Sequence, residues 1–104
     1  MKASNFVAAT LLVLGFSSLT WASEGEKLYV QKTCVACHGK DAKSPILPSY
    51  PKLAGQNPDY LFQQMKDIQS GARDNAQTSA MKGVMHLINE EEMRAIADWL
   101  GTLK

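Results

Sequence analysis

The sequence predicts an all-α domain in which three main helices and the loops between them wrap a single centre. Capped segments with apolar residues at helical spacing supply the helices, and no alternating strand pattern appears anywhere. The third observation identifies the centre. Cys34-Val35-Ala36-Cys37-His38 holds both cysteines of the chain and one of its two histidines.

Ser23, with Glu26 three residues on, resembles a capping box, and Gly25 to Val30 is expected to run as helix into Thr33 and the first cysteine. Gly39 follows the motif. The stretch from Lys40 to Gly55 carries Pro45, Pro48 and Pro51, which forbid regular helix and make a stiff loop that has to wrap something. Asn57-Pro58 is an N-cap followed by proline at the first helical position, and Leu61, Met65 and Ile68 form one apolar stripe until Gly71 stops the run. Residues 72–88 read as less regular, with a turn at Ala72 to Asn75 and methionines at 81 and 85. Asn89 caps a last helix whose first turn, Glu90 to Glu92, suits the positive end of the helix dipole. Its stripe is Met93, Ile96, Ala97 and Leu100, ending at Gly101. No internal repeat or low-complexity segment interrupts this order.

The pentapeptide reads as a covalent haem attachment site. Two thiols three positions apart, on one turn of helix, add across the vinyl groups on one side of a porphyrin, and the adjacent imidazole then sits under the iron. Other readings of Cys-x-x-Cys fit less well. Zinc wants four ligands, and after His38 the chain offers no further cysteine and only His86. A thioredoxin-like dithiol calls for a preceding strand, where this chain has helix pattern. A plain disulfide gives the abutting histidine no role.

Such thioethers are made outside the cytoplasm, and the N-terminus carries the features of an export signal. Lys2 is a short positive region, Phe6 to Phe16 an apolar one, and Thr20-Trp21-Ala22 places small residues before a cleavage site. The expected division is a cleaved signal peptide, residues 1–22, and a domain over residues 23–104, in the periplasm of a Gram-negative bacterium. An uncleaved anchor is the weaker reading, because the apolar stretch falls short of the roughly 20 residues of a membrane span. Of the 11 Lys and Arg only Lys2 lies in the signal, which leaves ten against ten Asp and Glu. A neutral domain has no electrostatic footprint for nucleic acid.

The match extends past the haem motif. Pro51-Lys52-Leu53-Ala54-Gly55-Gln56, Tyr60-Leu61, Gln64-Met65, Gly71-Ala72-Arg73 and the acidic start of the last helix are similar to the class I c-type cytochromes. The small soluble cytochrome c553 and single domains of cytochrome c4 are the members this chain resembles, over nearly all of residues 24–103. The resemblance implies the small cytochrome c fold around one covalent haem c, with Cys34 and Cys37 as thioether residues and His38 as proximal ligand. It implies a methionine as distal ligand. Met81 is the choice, since Gly83 follows two residues later as in the resembling proteins, and Met85 is the runner-up. His86 as a second imidazole ligand is the least favoured. Pro45 stands where the family places a proline whose carbonyl accepts from the proximal imidazole, a bond that fixes the ring. Tyr29 and Trp99 match an aromatic contact between the first and last helices, and Arg73 has the donors to reach a haem propionate.

The function implied is single-electron transfer between respiratory redox proteins, by a monomer that docks transiently at the haem edge and meets the membrane only through membrane-bound partners. No small-molecule substrate or enzymatic activity is expected. Lys40, Lys43, Lys52 and Lys82 flank that edge and would steer an acidic partner, although a scattered solvated surface is the preferred reading of these lysines. The alternatives are a haem-based sensor or ligand-binding module, and an electron-transfer subunit of a larger oxidoreductase complex. A domain this small is marginal on its own apolar core, and a buried, covalently held porphyrin would complete it. The haem-free mature chain is therefore expected to be largely unfolded; a cooperative thermal transition followed by circular dichroism would show otherwise.

Overall fold

The computed structural model describes residues 17–75 and 77–104, with side chains from residue 24 onward. Among these residues five helices follow in order: α1 (Ser17–Gln31), α2 (Cys34–His38), α3 (Pro58–Ser70), α4 (Thr78–Met85) and α5 (Glu90–Thr102). There is no strand among the described residues, and the architecture is the expected all-α one, with three long helices, two short ones and connecting loops.

α1 and α5 form the frame, and Gly25 sets how closely they approach. A Cβ on Gly25 would fall 2.2 Å from the Ala95 carbonyl oxygen and 2.6 Å from Cβ of Trp99, so only glycine lets the backbones meet there. One turn on, the Tyr29 and Trp99 rings pack with centroids 5.1 Å apart and planes tilted by 51°, as the sequence suggests. Leu28, Tyr29, Met93, Ile96, Ala97 and Leu100 are all buried around this crossing. The predicted stripe of the last helix thus faces the core.

α3 lies along α5 on another side, and α4 packs on α3. Asn57 caps α3 as expected, its side chain accepting from the amides of Asp59 and Tyr60 with proline at the first position, and Gly71 ends it at φ 89°. Leu61, Met65 and Ile68 are its buried residues. Asn89 caps α5 through a full capping box with Glu92.

Four expectations differ. Ser23 does not start the first helix: α1 begins at Ser17, so the preceding turn supplies the hydrogen bonds that a cap would otherwise satisfy. The rest of the predicted signal peptide, residues 1–16, lies outside the described residues. α1 also stops before the cysteines, because Thr33 turns into the left-handed region at φ 67° and α2 starts afresh at Cys34. Residues 78–85 are helical rather than irregular. Thr, Ser, Gly and Val are weak helix formers and eight residues are too few to stand alone, so this helix depends on packing. Met85 and Ile88 are buried, and the Thr78 hydroxyl donates to the Asn75 carbonyl at 2.8 Å. Gly101, finally, sits inside α5 and does not end it. A Cβ there would come 2.4 Å from Cγ of Pro58, so the glycine serves the close passage of α5 against the start of α3.

No helix among the described residues is long and apolar enough to cross a membrane.

Gly25→Ala should destabilise the holoprotein by about 1–3 kcal/mol through overpacking. Gly83→Ala, in α4 with open space around the new methyl, should be neutral or stabilising by up to about 1 kcal/mol. Guanidinium denaturation midpoints of the two variants check this pair.

Candidate haem site

α2 is a short helix that brings Cys34, Cys37 and His38 of the motif to one cavity. Cys34 and Cys37 are free thiols, half-buried, and both line it together with His38. Burial pushes the Cys34 thiol up to about 11, with the neighbouring Cys37 adding to the rise against a backbone hydrogen bond that lowers it. At neutral pH Cys34 is thus a protonated thiol, unlike an activated catalytic cysteine. No group of three or more His, Cys, Asp or Glu able to hold a metal ion occurs among the described residues, so the zinc reading gains nothing.

His38 is 7% exposed. Its Nδ1 lies 3.2 Å from the Pro51 carbonyl oxygen, which can only accept, so the proton is on Nδ1 and the Nε2 lone pair is free. Burial lowers the pKa of the ring below the usual 6.5, partly opposed by that hydrogen bond. A neutral imidazole with a free Nε2 is the form that ligates iron.

The proline beside His38 is therefore Pro51 and not Pro45. Directly after Pro45 the Ile46 amide donates to the Cys37 carbonyl at 3.0 Å, which takes the chain across the backbone end of α2. A turn closed by Tyr50 N–H to the Leu47 carbonyl, 3.0 Å, then brings Pro51 to the ring. The path of this loop is set further back. Gly39 has φ 89°, the Asp41 carboxylate accepts from the amides of Lys43 and Ser44, and fully buried Ala42 sits at φ 59° with its carbonyl accepting from Leu53 and Ala54. The expected wrapping loop is present, and local hydrogen bonds shape it.

The cavity has a volume of about 370 Å³ and mostly apolar walls, which suits the burial of a flat aromatic group. α3 contributes Leu61, Met65 and Ile68, α4 contributes Met81, Val84 and Met85, and α5 contributes Ile96 and Leu100. Both candidate methionines border it. Met85 is 1% exposed and part of the core, whereas Met81 is half-buried and packs against the core from outside. His86 is exposed and is not among the lining residues. Arg73 lines the cavity, its Nη1 donating to Gln64 Oε1 at 3.0 Å. Lys40, Lys43 and Lys52 are exposed, with Lys52 at the cavity and Lys82 half-buried.

Two thiols and a neutral imidazole on one wall, thioethers on another and apolar side chains between them fit a covalently attached haem. Fold and site together define a helical haem-attachment domain. The cytochrome c family model matches residues 22–104, and the chain belongs to that family. It is 31% identical over 104 residues to cytochrome c-553 of Nitratidesulfovibrio vulgaris, covering 99% of this chain and 100% of that one. It is 33% identical over 104 residues to a thiosulfate dehydrogenase electron acceptor of Stutzerimonas stutzeri, covering 93% of this chain and 47% of that protein. The crystal structure of reduced recombinant cytochrome c4 from Pseudomonas stutzeri superposes with a TM-score of 0.73 at 28% identity, over 83% of this chain and 50% of that one. The chain thus spans about half the length of the latter two and all of the first. Its cofactor is one covalently bound haem c, and Cys34 and Cys37 fit the attachment motif.

Sequence reading missed Pro51 as the partner of His38, although Pro51 opens the segment that carries the family likeness. Tyr29, expected only to pack against Trp99, also lines the cavity, and its hydroxyl donates to the Gly39 carbonyl. Burial raises the Tyr29 pKa above its ordinary 10.0, with Cys34 and Asp41 adding smaller electrostatic contributions. The folded state holds this proton more tightly than the unfolded one, so its stabilising contribution is complete below pH 10.0 and is lost as pH rises beyond it. Tyr29→Phe should cost about 1 kcal/mol at pH 7 through the lost hydrogen bond. The gap to the parent should narrow above pH 10.0, as urea titrations at neutral and alkaline pH will show.

Proposed function

We propose that this protein is a periplasmic electron carrier, passing single electrons between respiratory redox proteins through a haem ligated by His38 and Met81. The observation that carries this reading is the imidazole held by Pro51 beside the two thiols, in a mostly apolar cavity that Met81 and Met85 also line. A haem bound there would supply a one-electron ferrous/ferric couple.

The chain's own residues make that exchange specific. Cys34 and Cys37 tether the group, and the Pro51 carbonyl keeps the His38 ring in one tautomer and one orientation. A soft thioether from Met81 favours the ferrous state, and the surrounding Leu61, Ile68 and Leu100 side chains disfavour the added charge of the ferric one. Held by both His38 and Met81, the group would offer no position to a substrate. Pro45 then keeps only the role of stiffening the loop. Arg73, at the cavity and already oriented by Gln64, is suited to receive a propionate.

The start of the family match at residue 22 supports a division into a signal peptide over residues 1–22 and a domain over residues 23–104. The name of the Stutzerimonas relative supports a dehydrogenase as one class of electron donor. Exposed Lys40, Lys43 and Lys52 offer a weakly basic rim for transient docking by a monomer.

Met81→Ala should abolish the weak thioether-to-iron absorption of the oxidised holoprotein and lower its reduction potential. Met85→Ala should leave the band in place. Absorption spectra taken during a redox titration decide between the two methionines; loss of the band in Met85→Ala alone would reassign the ligand.

A further inference from the structure

The turn that follows α4 is held from two sides by side chains with no part in attaching the haem. From α3, a single amide nitrogen, Gln69 Nε2, donates to the carbonyl of Met85 at 2.7 Å and to that of Ile88 at 2.8 Å. From the end of α1, Lys32 Nζ reaches the Leu87 carbonyl at 3.1 Å, with Glu92 of α5 at 3.4 Å neutralising it. Carbonyls at a helix C-terminus have no partner further along the helix, and these two side chains add donors there; the Met85 carbonyl also accepts from the Ile88 amide at 3.3 Å.

Only the amide group of Gln69 can donate to two carbonyls, so the side chain has one orientation here. Its own helix lines the cavity with Leu61, Met65 and Ile68 on the neighbouring face. Gln69 therefore ties the helix that forms one wall to the end of the helix that carries Met81. α4 is eight residues of weak helix formers and its N-terminal Gln77 makes no side-chain cap, so little within α4 itself fixes its position.

We propose that Gln69 is a positioning residue: by clamping the Met85 and Ile88 carbonyls it holds α4 in the register that presents Met81 to the haem, and so sets how rarely the distal position opens. The proposal rests on Met81 as distal ligand. Without the clamp, α4 swings away more often, and an external ligand competing for the iron finds more of the open state. Its apparent affinity rises in proportion to that population.

The test is imidazole titration of the ferric holoprotein, followed in the visible spectrum. Gln69→Leu should bind imidazole about tenfold more tightly than the parent, and Gln69→Lys, which returns a donor, should come back to within about threefold. Gly25→Ala, destabilised at a distant helix crossing, should bind as the parent does, which separates positioning from general loss of stability. If Gln69→Leu yields no holoprotein, Gln69→Glu keeps the shape without the amide hydrogens and carries the same expectation. Unchanged imidazole affinity on removing the donors, or equal tightening in Gly25→Ala, overturns the clamp while leaving Met81 as ligand. Persistence of the thioether band in Met81→Ala overturns the ligand assignment and the proposal with it.

Discussion

Every helix among the described residues gives side chains to one shared cavity as well as to its neighbours, and the packing depends on that cavity being filled. Tyr29 of α1, the motif on α2, Leu61 and Ile68 of α3, Val84 of α4 and Leu100 of α5 all border it. Helices also meet directly where glycine allows it, α1 with α5 at Gly25 and α5 with the start of α3 at Gly101. A domain of this size has little apolar surface to spare, so side chains lining an unfilled cavity would forfeit both hydrophobic burial and dispersion contacts. The cofactor is in this sense a structural element, and the helices are placed around it.

Orientation of the histidine is a separate requirement, met by the backbone. Which nitrogen of an imidazole is free, and where it points, is set by the hydrogen bond of the other, and here a carbonyl provides that bond without adding charge to the cavity. The cost is borne in the loop: two non-glycine residues, Thr33 and Ala42, take left-handed conformations on either side of the motif. Ala42 is fully buried and its carbonyl holds two amides, so the strain is locked by tertiary contacts. Strain of this kind gathers where a functional geometry has to be imposed on the chain.

How much of this was legible depended on whether a feature is local. Asn57-Pro58, the Asn89–Glu92 box and the stripes Leu61, Met65, Ile68 and Met93, Ile96, Leu100 are set by neighbours three or four positions away, and pattern reading recovers them. The attachment motif is local too. Pro51 as the partner of His38 is not, since three prolines in one loop look alike until the turns at Ala42 and Tyr50 decide which carbonyl meets the ring. The α4 helix is hidden because its formation depends on burial of Met85 and Ile88 and not on the helix propensity of its residues. Gly101 looked like a stop for the same kind of reason: the contact that requires it, with Pro58, lies 43 positions away in the chain.

The side chains that complete the cavity all lie between Tyr29 and Leu100, within the stretch that matches the family. A relative of equal length and relatives twice as long share this stretch, so the walls of the site need nothing from the additional half of the longer proteins. What an electron carrier requires beyond the cofactor is that its surroundings differ little between two charge states. The His38 ring held by a backbone carbonyl, and α4 tied at its end to the wall of the same cavity, are both arrangements in which movement would break hydrogen bonds inside a low-dielectric interior. Rigidity here comes from a few well-placed polar contacts at the edge of an otherwise apolar enclosure. Hydrophobic contact alone would allow the enclosure to slide; the carbonyls of Pro51, Met85 and Ile88 fix its register.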